Sequence, residues 1–380
     1  MRRLAFAASA VLIASPAGAA LDSSYWMDVQ ADVGVDTNPY LDEDSKTTGT
    51  ASITLLPAVN FSGARSSTTV SGRYMREEYF SRYDASQDIG VNLDHSHRLS
   101  ERLDAKFGAG FSHSTNALLN TDIDDDLATQ GNQKRRSYDA NGSLTYRISD
   151  RSTFTGTGYY QRAEYPGNEI NSIGDYTTYG GTVGYSRVLN SRTSLGLSLG
   201  ASETRSVTNP DSTSYQPQVT FEHRFSQAWT INGSVGVIFQ KTKFLGRSEN
   251  STNLGAQLNL CGTYPRDSIC IFGSRDSSAS GYGGPRIRTS FGANYSRQLS
   301  ERSRIAASGT YTRDKSQDFG FVARNVDYAY ANASYERDVS QRLTAGVRAN
   351  YSWRKFSGFS TVDSVGGSVF VRYRLGRVNR

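Results

Sequence analysis

The sequence predicts an all-β fold: a transmembrane antiparallel up-and-down β-barrel of about 18 strands, with 16 as the lower count. Apolar and polar residues alternate over stretches of about ten residues or more, which is longer than the average strand of a soluble protein. Short charged turns alternate with longer polar loops, as they do in outer-membrane barrels. The chain also begins with an export signal. These observations favour a membrane barrel over a soluble β-sandwich, whose strands would also alternate.

Residues 1–20 predict a signal peptide, which leaves 21–380 as the barrel. Met1–Arg3 supplies the basic start, Leu4–Ser15 the apolar segment and Ala17–Ala19 the small-residue cleavage site. A membrane anchor needs about 20 apolar residues, and this run is shorter. No later run is long enough for a spanning helix, so a membrane protein of this sequence must be a closed barrel. We therefore expect the outer membrane of a Gram-negative bacterium, with its lipid and lipopolysaccharide as neighbours.

The composition agrees with a barrel and argues against nucleic acid as a partner. The chain has 36 Gly, 23 Tyr and 17 Phe, and its mean hydropathy is −0.54. Low hydropathy opposes helical spans but suits strands that are apolar on one face only. The formal net charge is +6, and removal of Arg2 and Arg3 leaves 40 basic against 36 acidic residues. This excess is too mild to indicate nucleic-acid binding.

Eight short turns set the expected strand number. Each contains Ser, Asn, Asp or Gly, which favour reversals through side-chain hydrogen bonds to the backbone or through backbone freedom. Eight short turns between periplasmic termini predict nine hairpins, and barrels of 16 to 18 strands enclose an aqueous channel. The turns are Ser62–Arg65, Arg98–Leu103, Arg147–Arg151, Arg187–Arg192, Arg224–Trp229, Pro265–Ser268, Arg297–Ser303 and Arg337–Arg342.

Nine longer loops are expected at the opposite, extracellular end. Most are polar and many contain glycine, as exposed loops do. They are Asn38–Lys46, Glu78–Ala85, Thr115–Lys134, Pro166–Gly174, Ser206–Thr213, Thr242–Asn250, Ser274–Pro285, Asp314–Arg324 and Ser357–Asp363.

The two cysteines flank one of the short turns. Cys261 and Cys270 favour a disulfide, because the periplasm oxidises thiols. Such a bridge would stabilise the fold by roughly 2–3 kcal/mol in the chain-entropy account. A metal-binding or catalytic thiol is the alternative, but no histidine lies nearby in the sequence.

Motifs that could carry catalysis occur in the wrong context. Gly196–Gly200 matches the G-x-S-x-G pattern, yet it lies within an alternating strand and not at a strand-to-helix turn. His95–His97 puts two imidazoles on one strand face without a carboxylate cluster. Asp122–Asp126 lacks the glycine and terminal glutamate of a calcium loop and favours a solvated loop. We predict no enzyme, metal or cofactor; the enzyme alternative rests on Ser198 or His223.

Charge is distributed unevenly along the chain. Residues 21–136 contain 11 basic and 18 acidic residues, whereas 297–380 contain 15 basic and 7 acidic ones. Closure places the last strand beside the first, so a basic wall should meet an acidic one. Charges in a narrow channel focus the field on passing solutes. The alternation predicts these lumen-facing residues on the solute path: Asp28, Asp32, Arg286, Arg288, Tyr328, Tyr330, Glu336, Arg348, Arg354, Arg372 and Arg374.

Tyr328 and Tyr330 raise the question of a sugar path. Aromatic faces beside hydroxyl and amide groups suit sugar rings, which have apolar C–H faces and many hydroxyls. The alternative is that large lumens are polar in any case and that tyrosine is the usual residue of the membrane-interface girdle.

The amino-terminal segment resembles a known family. Val33–Tyr40 followed by Ile53–Pro57 resembles the start of the β-barrel porins found in exopolysaccharide gene clusters, where a G-x-D-x-N stretch ends the first strand and an L-x-P-like stretch marks the second. The turn within Tyr295–Arg302 is also similar. The matching residues are Gly34, Asp36, Asn38 and Pro57; for Pro57, which lacks a ladder donor, a local bulge is the other explanation.

The resemblance implies a role in exporting exopolysaccharide across the outer membrane. Its partners would be the polysaccharide itself and the periplasmic and inner-membrane proteins that synthesise and export it. The alternative is a general diffusion porin for small solutes.

Overall fold

The chain forms one closed antiparallel sheet of 18 strands in the computed structural model. The structure describes residues 22–81, 83–115, 134–166, 174–207, 210–279, 285–316, 325–357 and 360–377. The predicted signal peptide and the acidic run Asp122–Asp126 lie outside the described residues. The strands are β1 (Asp22–Asp36), β2 (Thr48–Ser62), β3 (Ser66–Tyr79), β4 (Ser86–Arg98), β5 (Leu103–Ser114), β6 (Arg135–Ser149), β7 (Ser152–Glu164), β8 (Tyr176–Asn190), β9 (Thr193–Ser206), β10 (Asp211–Arg224), β11 (Trp229–Phe244), β12 (Arg247–Thr263), β13 (Asp267–Ser278), β14 (Arg286–Ser300), β15 (Ser303–Ser316), β16 (Val326–Asp338), β17 (Leu343–Phe356) and β18 (Thr361–Arg377).

Each strand pairs with its two neighbours in sequence, and β1 closes the sheet by pairing with β18. At this seam Asp28 lies opposite Arg374 on one side and Leu56 on the other. The predicted all-β barrel and its count of 18 strands are confirmed. We call the end with the eight predicted short turns the short-turn end and the opposite one the loop end. Among the described residues, no helix is long and apolar enough to cross a membrane.

The two faces of the sheet differ sharply in chemistry. On β1 the side chains of Tyr25, Val33 and Val35 are more than half exposed on the outer face, whereas Asp28 on the inner face is buried. Exposed large apolar residues recur around the whole barrel, which soluble monomers avoid. Aromatic residues also ring the outer face near the short-turn end, as in the girdles of membrane barrels. They are Tyr25, Phe61, Tyr146, Phe154, Tyr185, Phe225 and Tyr373.

One of the nine predicted loops is wrong. Thr242–Asn250 is strand on both sides of a two-residue turn, because β11 continues to Phe244 and β12 begins at Arg247. Leu245 and Gly246 form the turn with φ of 48° and 78°. Positive φ at both central residues is the type I′ geometry, whose twist matches that of the flanking strands. The other eight loop regions lie between an odd-numbered strand and the next even one.

Pro57 occupies a regular strand position. The β2–β3 register is the same before and after it, so the bulge explanation is wrong. Pro57 Cγ would lie 3.0 Å from a Cβ placed on Gly72. The glycine on the neighbouring strand therefore leaves room for the proline ring.

Candidate channel lumen

A cavity of about 550 Å³ lies inside the barrel, against β1–β3 and β15–β18. Its lining includes the carboxylates of Asp32 and Glu77, the guanidinium of Arg348 and the ring of Tyr330. Gln30 Nε2 donates to both carboxylate oxygens of Asp32, at 3.1 and 3.0 Å. The cavity thus offers donors, acceptors and an aromatic face within one water-accessible space.

Arg348 is held in this cavity by two neighbours. Its Nη1 lies 3.9 Å from Asp32 Oδ1, and its guanidinium lies 5.2 Å from the ring centroid of Phe370. A cation over an aromatic face gains about 0.5–1 kcal/mol where it stays exposed. Phe370 was not among the residues predicted to face the lumen. Its even position on β18, shared with Arg372, is the signal that would have placed it there.

Ion pairs lie across and beside the closing seam near the short-turn end. Arg374 Nε and Nη2 each donate to one oxygen of Asp28 at 2.7 Å. Glu336 Oε2 accepts from Arg372 Nη2 at 3.3 Å and lies 3.7 Å from Arg304 Nη2. A second cavity of about 620 Å³ opens beside these pairs. The acidic first strand and the basic last strand therefore meet in direct contacts.

We expect Arg374→Ala to destabilise the barrel. Asp28 is buried and would lose its bidentate partner. Breaking a fully buried ion pair lowers the free energy of unfolding by about 3–5 kcal/mol. Arg374 is about half exposed, so about 1–2 kcal/mol is the expected loss after solvent screening. The measurement is the urea midpoint of unfolding in lipid vesicles.

The matched control is Arg205→Ala, which removes an exposed ion pair with Glu203. Such pairs contribute about 0–1 kcal/mol, so the midpoint should barely move. The charge swap Asp28→Arg with Arg374→Asp should recover part of the loss. Equal midpoints for the two single variants would show that the seam pair does not stabilise closure.

Two predicted path residues are buried at the loop end. Arg288 Nε and Nη2 donate to the two oxygens of Asp314, each at 2.9 Å, and both side chains are buried. Arg286 is also buried and lines neither of the two cavities. These arginines lie within the packed inner wall, away from the open lumen surface.

The β1–β2 loop folds into the barrel. Leu41 is buried against Val326 and Tyr328, and its carbonyl accepts a hydrogen bond from Arg354 Nη2 at 2.6 Å. The Arg354 guanidinium lies 4.9 Å from the ring centroid of Phe356. Tyr328 keeps only 6% of its surface exposed. The loop therefore covers Arg354 and Tyr328, which the sequence analysis placed on the open lumen wall.

An aromatic cluster holds the same loop against β3. The ring of Tyr40 lies 5.4 Å from Tyr79 and 4.9 Å from Tyr83, both edge-on. Its hydroxyl donates to the carbonyl of Asp84 at 2.6 Å. Burial raises the pKa of Tyr40 well above its ordinary value, and the nearby Asp84 carboxylate adds to this, so the hydroxyl remains a donor. The loop is thus fixed on two separate parts of the wall.

The residues that resemble the family motif anchor this loop. Asp36 Oδ1 accepts the backbone N–H of Asn38 at 2.9 Å and also the hydroxyl of Ser364. The Asn38 side chain accepts the N–H of Asp42 at 2.9 Å and donates to its carbonyl at 2.8 Å. Gly34 lies against β18 with no room for a side chain. The apolar residues Tyr40 and Leu41, in an otherwise acidic loop, were the sequence signal that could have predicted this anchoring.

The two cysteines form the expected disulfide. Cys261 and Cys270 are directly opposed on β12 and β13, across the short turn that joins these strands. Both occupy lumen-facing positions, since Ile271 faces outward with half its surface exposed.

The candidate catalytic residues do not converge. Leu197, within the G-x-S-x-G match, is 64% exposed on the outer face of β9. Ser198 lies opposite Gln218 and His223 opposite Thr193, so the serine and the histidine point to opposite faces. In the part of the chain that the structure describes, no group of three or more His, Cys, Asp or Glu could hold a metal ion.

Comparison with known proteins finds similar folds only among solved structures. No protein-family model matches the chain, and the search of the curated proteins finds no match. Pseudomonas aeruginosa OccK2 (OpdF), solved with glucuronate, is 10% identical with a TM-score of 0.47, over 94% of this chain and 99% of that one. Pseudomonas aeruginosa OprD is 11% identical with a TM-score of 0.45, over 94% and 96%. A BenF-like porin from Pseudomonas fluorescens Pf-5 is 9% identical with a TM-score of 0.49, over 94% and 99%. At this level of similarity, function has to be argued from this chain's own residues.

Proposed function

We propose that this protein is an outer-membrane channel that exports an exopolysaccharide through its polar lumen. The observation that carries the proposal is the cavity beneath the β1–β2 loop, where Tyr330 lies among Asp32, Arg348 and amide side chains. An aromatic face packs against the apolar face of a sugar ring, and the surrounding groups bind its hydroxyls. Sites of this kind combine packing surface with a few polar groups that fix orientation.

The outer surface supports insertion in a membrane. A closed sheet leaves no unpaired edge, so its backbone is satisfied within lipid. The exposed apolar residues and the aromatic girdle face outward, where acyl chains and interfaces would cover them. Outer-membrane lipid and lipopolysaccharide are then the immediate surroundings of the barrel.

Transport in this proposal is passive. A hydrated polymer threads the lumen and exchanges water for hydroxyl, amide and charged side chains, and no covalent bond changes. Periplasmic and inner-membrane proteins would deliver the polymer to the short-turn end. The residues that resemble the exopolysaccharide-cluster porins hold the loop beside the cavity, which ties the resemblance to the path.

A general diffusion porin is the second candidate, because a lumen of 18 strands also passes small solutes. Deletion of the gene separates the two: an export channel is needed for polysaccharide on the cell surface, and the wild-type gene restores it. Liposome swelling gives the second measurement, since an exporter narrowed by an inward loop admits small sugars slowly. Unchanged surface polysaccharide together with fast swelling would establish the porin and end the export proposal.

A further inference from the structure

Six of the eight short turns share a four-residue pattern: an apolar residue, Ser or Asn, any residue, then Arg or, once, Ala. In each, the side-chain oxygen of the second residue accepts the backbone N–H of the fourth. The bonds run from Arg102 to Ser100 (3.2 Å), Arg151 to Ser149 (3.3 Å), Arg192 to Asn190 (2.9 Å), Ala228 to Ser226 (3.2 Å), Arg302 to Ser300 (3.3 Å) and Arg342 to Ser340 (3.3 Å).

The fourth position is structurally equivalent in all eight short turns. In every one, the carbonyl of this residue accepts a backbone N–H from the end of the next even-numbered strand, at N–O distances of 2.7 to 2.9 Å. Seven of the eight residues are arginine, and Ala228 is the exception. We call these seven the arginine ring: Arg65, Arg102, Arg151, Arg192, Arg266, Arg302 and Arg342.

The arginine ring occupies lumen-facing positions. Each ring residue directly precedes the first residue of an odd-numbered strand. Leu103 pairs with the outward-facing Tyr146, so alternation directs Arg102 inward. Alternation from an exposed apolar residue on the following strand gives the same direction for the other six; these residues are Val70, Phe154, Leu195, Ile271, Tyr311 and Val347. Arg302 and Arg342 line the cavity of about 620 Å³ at the short-turn end, together with Arg372 and Arg374. All seven residues are exposed. The ring therefore surrounds the mouth through which a solute enters from this end.

Two carboxylates at this end pair with arginines outside the ring. Asp28 pairs with Arg374, and Asp104 Oδ2 lies 2.7 Å from Arg147 Nη2. Among the described residues, no member of the ring forms a salt bridge. Glu101, Asp150 and Glu301 precede three ring members in sequence, and Asp338 lines the cavity beside Arg302 and Arg342. These four carboxylates reduce the local excess of positive charge, but the seven ring arginines outnumber them.

We propose that the arginine ring recruits an anionic polymer, a polysaccharide with repeated carboxylate groups, to the short-turn mouth. This inference rests on the proposed channel function and names the substrate class. Guanidinium groups bind carboxylates in a bidentate manner, and a ring of like charges focuses the field at a pore entrance. A polymer with many carboxylates engages several arginines at once, which multiplies weak single contacts. Lipid phosphates are disfavoured as the ligand because they lie on the outer face, away from the ring.

Ala228 supplies a natural template for the test. Its turn makes the same backbone and serine hydrogen bonds without a guanidinium, so arginine-to-alanine changes at equivalent positions should keep the fold. The test variant combines Arg102→Ala, Arg151→Ala, Arg302→Ala and Arg342→Ala. The converse variant, Ala228→Arg, completes the ring.

The first measurement is the reversal potential of purified channels in lipid bilayers under a potassium chloride gradient. The second is block by oligogalacturonate, with neutral maltooligosaccharides of equal length as the reference probe. Wild-type channels should be anion-selective and blocked by oligogalacturonate from the short-turn side. The fourfold variant should lose most of this selectivity and weaken the block about tenfold or more, the lower range of electrostatic steering. Ala228→Arg should increase the anion selectivity and strengthen the block by oligogalacturonate. High salt should abolish the differences between the variants and the wild type.

The possible failures are separable. Conducting channels whose selectivity and block are the same in all variants would overturn the arginine ring as an anion entrance and leave the channel intact. A change in chloride selectivity without a change in oligogalacturonate block would overturn the polymer assignment. Folded protein that never conducts would overturn the channel function. Oligogalacturonate binding to the detergent-solubilised protein then tests the ring directly, since unchanged binding in the fourfold variant contradicts the proposal.

Discussion

Replacing Gly34 by alanine is expected to destabilise the closed barrel, whereas the same change at Gly156 is expected to be silent. A Cβ on Gly34 would lie 2.5 Å from the carbonyl oxygen of Gly367 and 2.9 Å from Ser368 Cβ. Neither group can rotate away, because both belong to the hydrogen-bonded seam strand β18. Forced shifts of this kind cost about 1–3 kcal/mol. At Gly156 the added Cβ meets no atom within 4 Å.

The folded fraction in lipid vesicles and the urea midpoint of unfolding measure this difference. Gly156→Ala should fold as the wild type does or slightly better, because alanine restricts the unfolded chain. Gly34→Ala should refold poorly and unfold at lower urea. Equal midpoints would mean that the seam can move to accept the side chain. In that case the lack of space at the β1–β18 seam would not explain why position 34 is glycine.

Sequence reasoning predicted the faces of the strands because strand geometry leaves each side chain only two directions. On β1, the polarity of Asp28 and Asp32 against Val33 and Val35 was sufficient to assign the lumen face and the outer face. The strand count followed from the turns, since each reversal depends on local residues such as Ser300. These features are set by residues close together in the chain.

Features that depend on distant residues were not predicted. The burial of Leu41 requires Val326 and Arg354, which are far away in sequence and adjacent only after closure. The Leu245–Gly246 turn is a local feature and was missed for a different reason: leucine is unusual at the first position of a type I′ turn, where asparagine, aspartate or glycine is usual. Long-range packing therefore decides which loop enters the lumen.

Leu41→Ala is expected to release the β1–β2 loop and to raise single-channel conductance. Truncation of a buried leucine costs about 2–5 kcal/mol, and here that cost falls on the docking of one loop and not on the barrel. Leu41 has a φ of 51°, a conformation that is uncommon for leucine. Its side-chain contacts and the Arg354 hydrogen bond must hold that conformation in place. Asn38→Ala should act in the same direction, because it removes two hydrogen bonds within the loop.

Ser45→Ala is the matched control, since this residue of the same loop is exposed. It should leave both the conductance and the urea midpoint unchanged. Leu41→Ala and Asn38→Ala should lower the midpoint by no more than the free energy with which the loop docks, because the hydrogen bonds of the sheet itself are untouched. Faster permeation of small sugars through Leu41→Ala would show that the docked loop restricts small solutes in the wild type, as an exporter requires. If Leu41→Ala and Ser45→Ala conduct equally, the loop does not narrow the path. The lumen would then behave as an open pore, which favours the general porin.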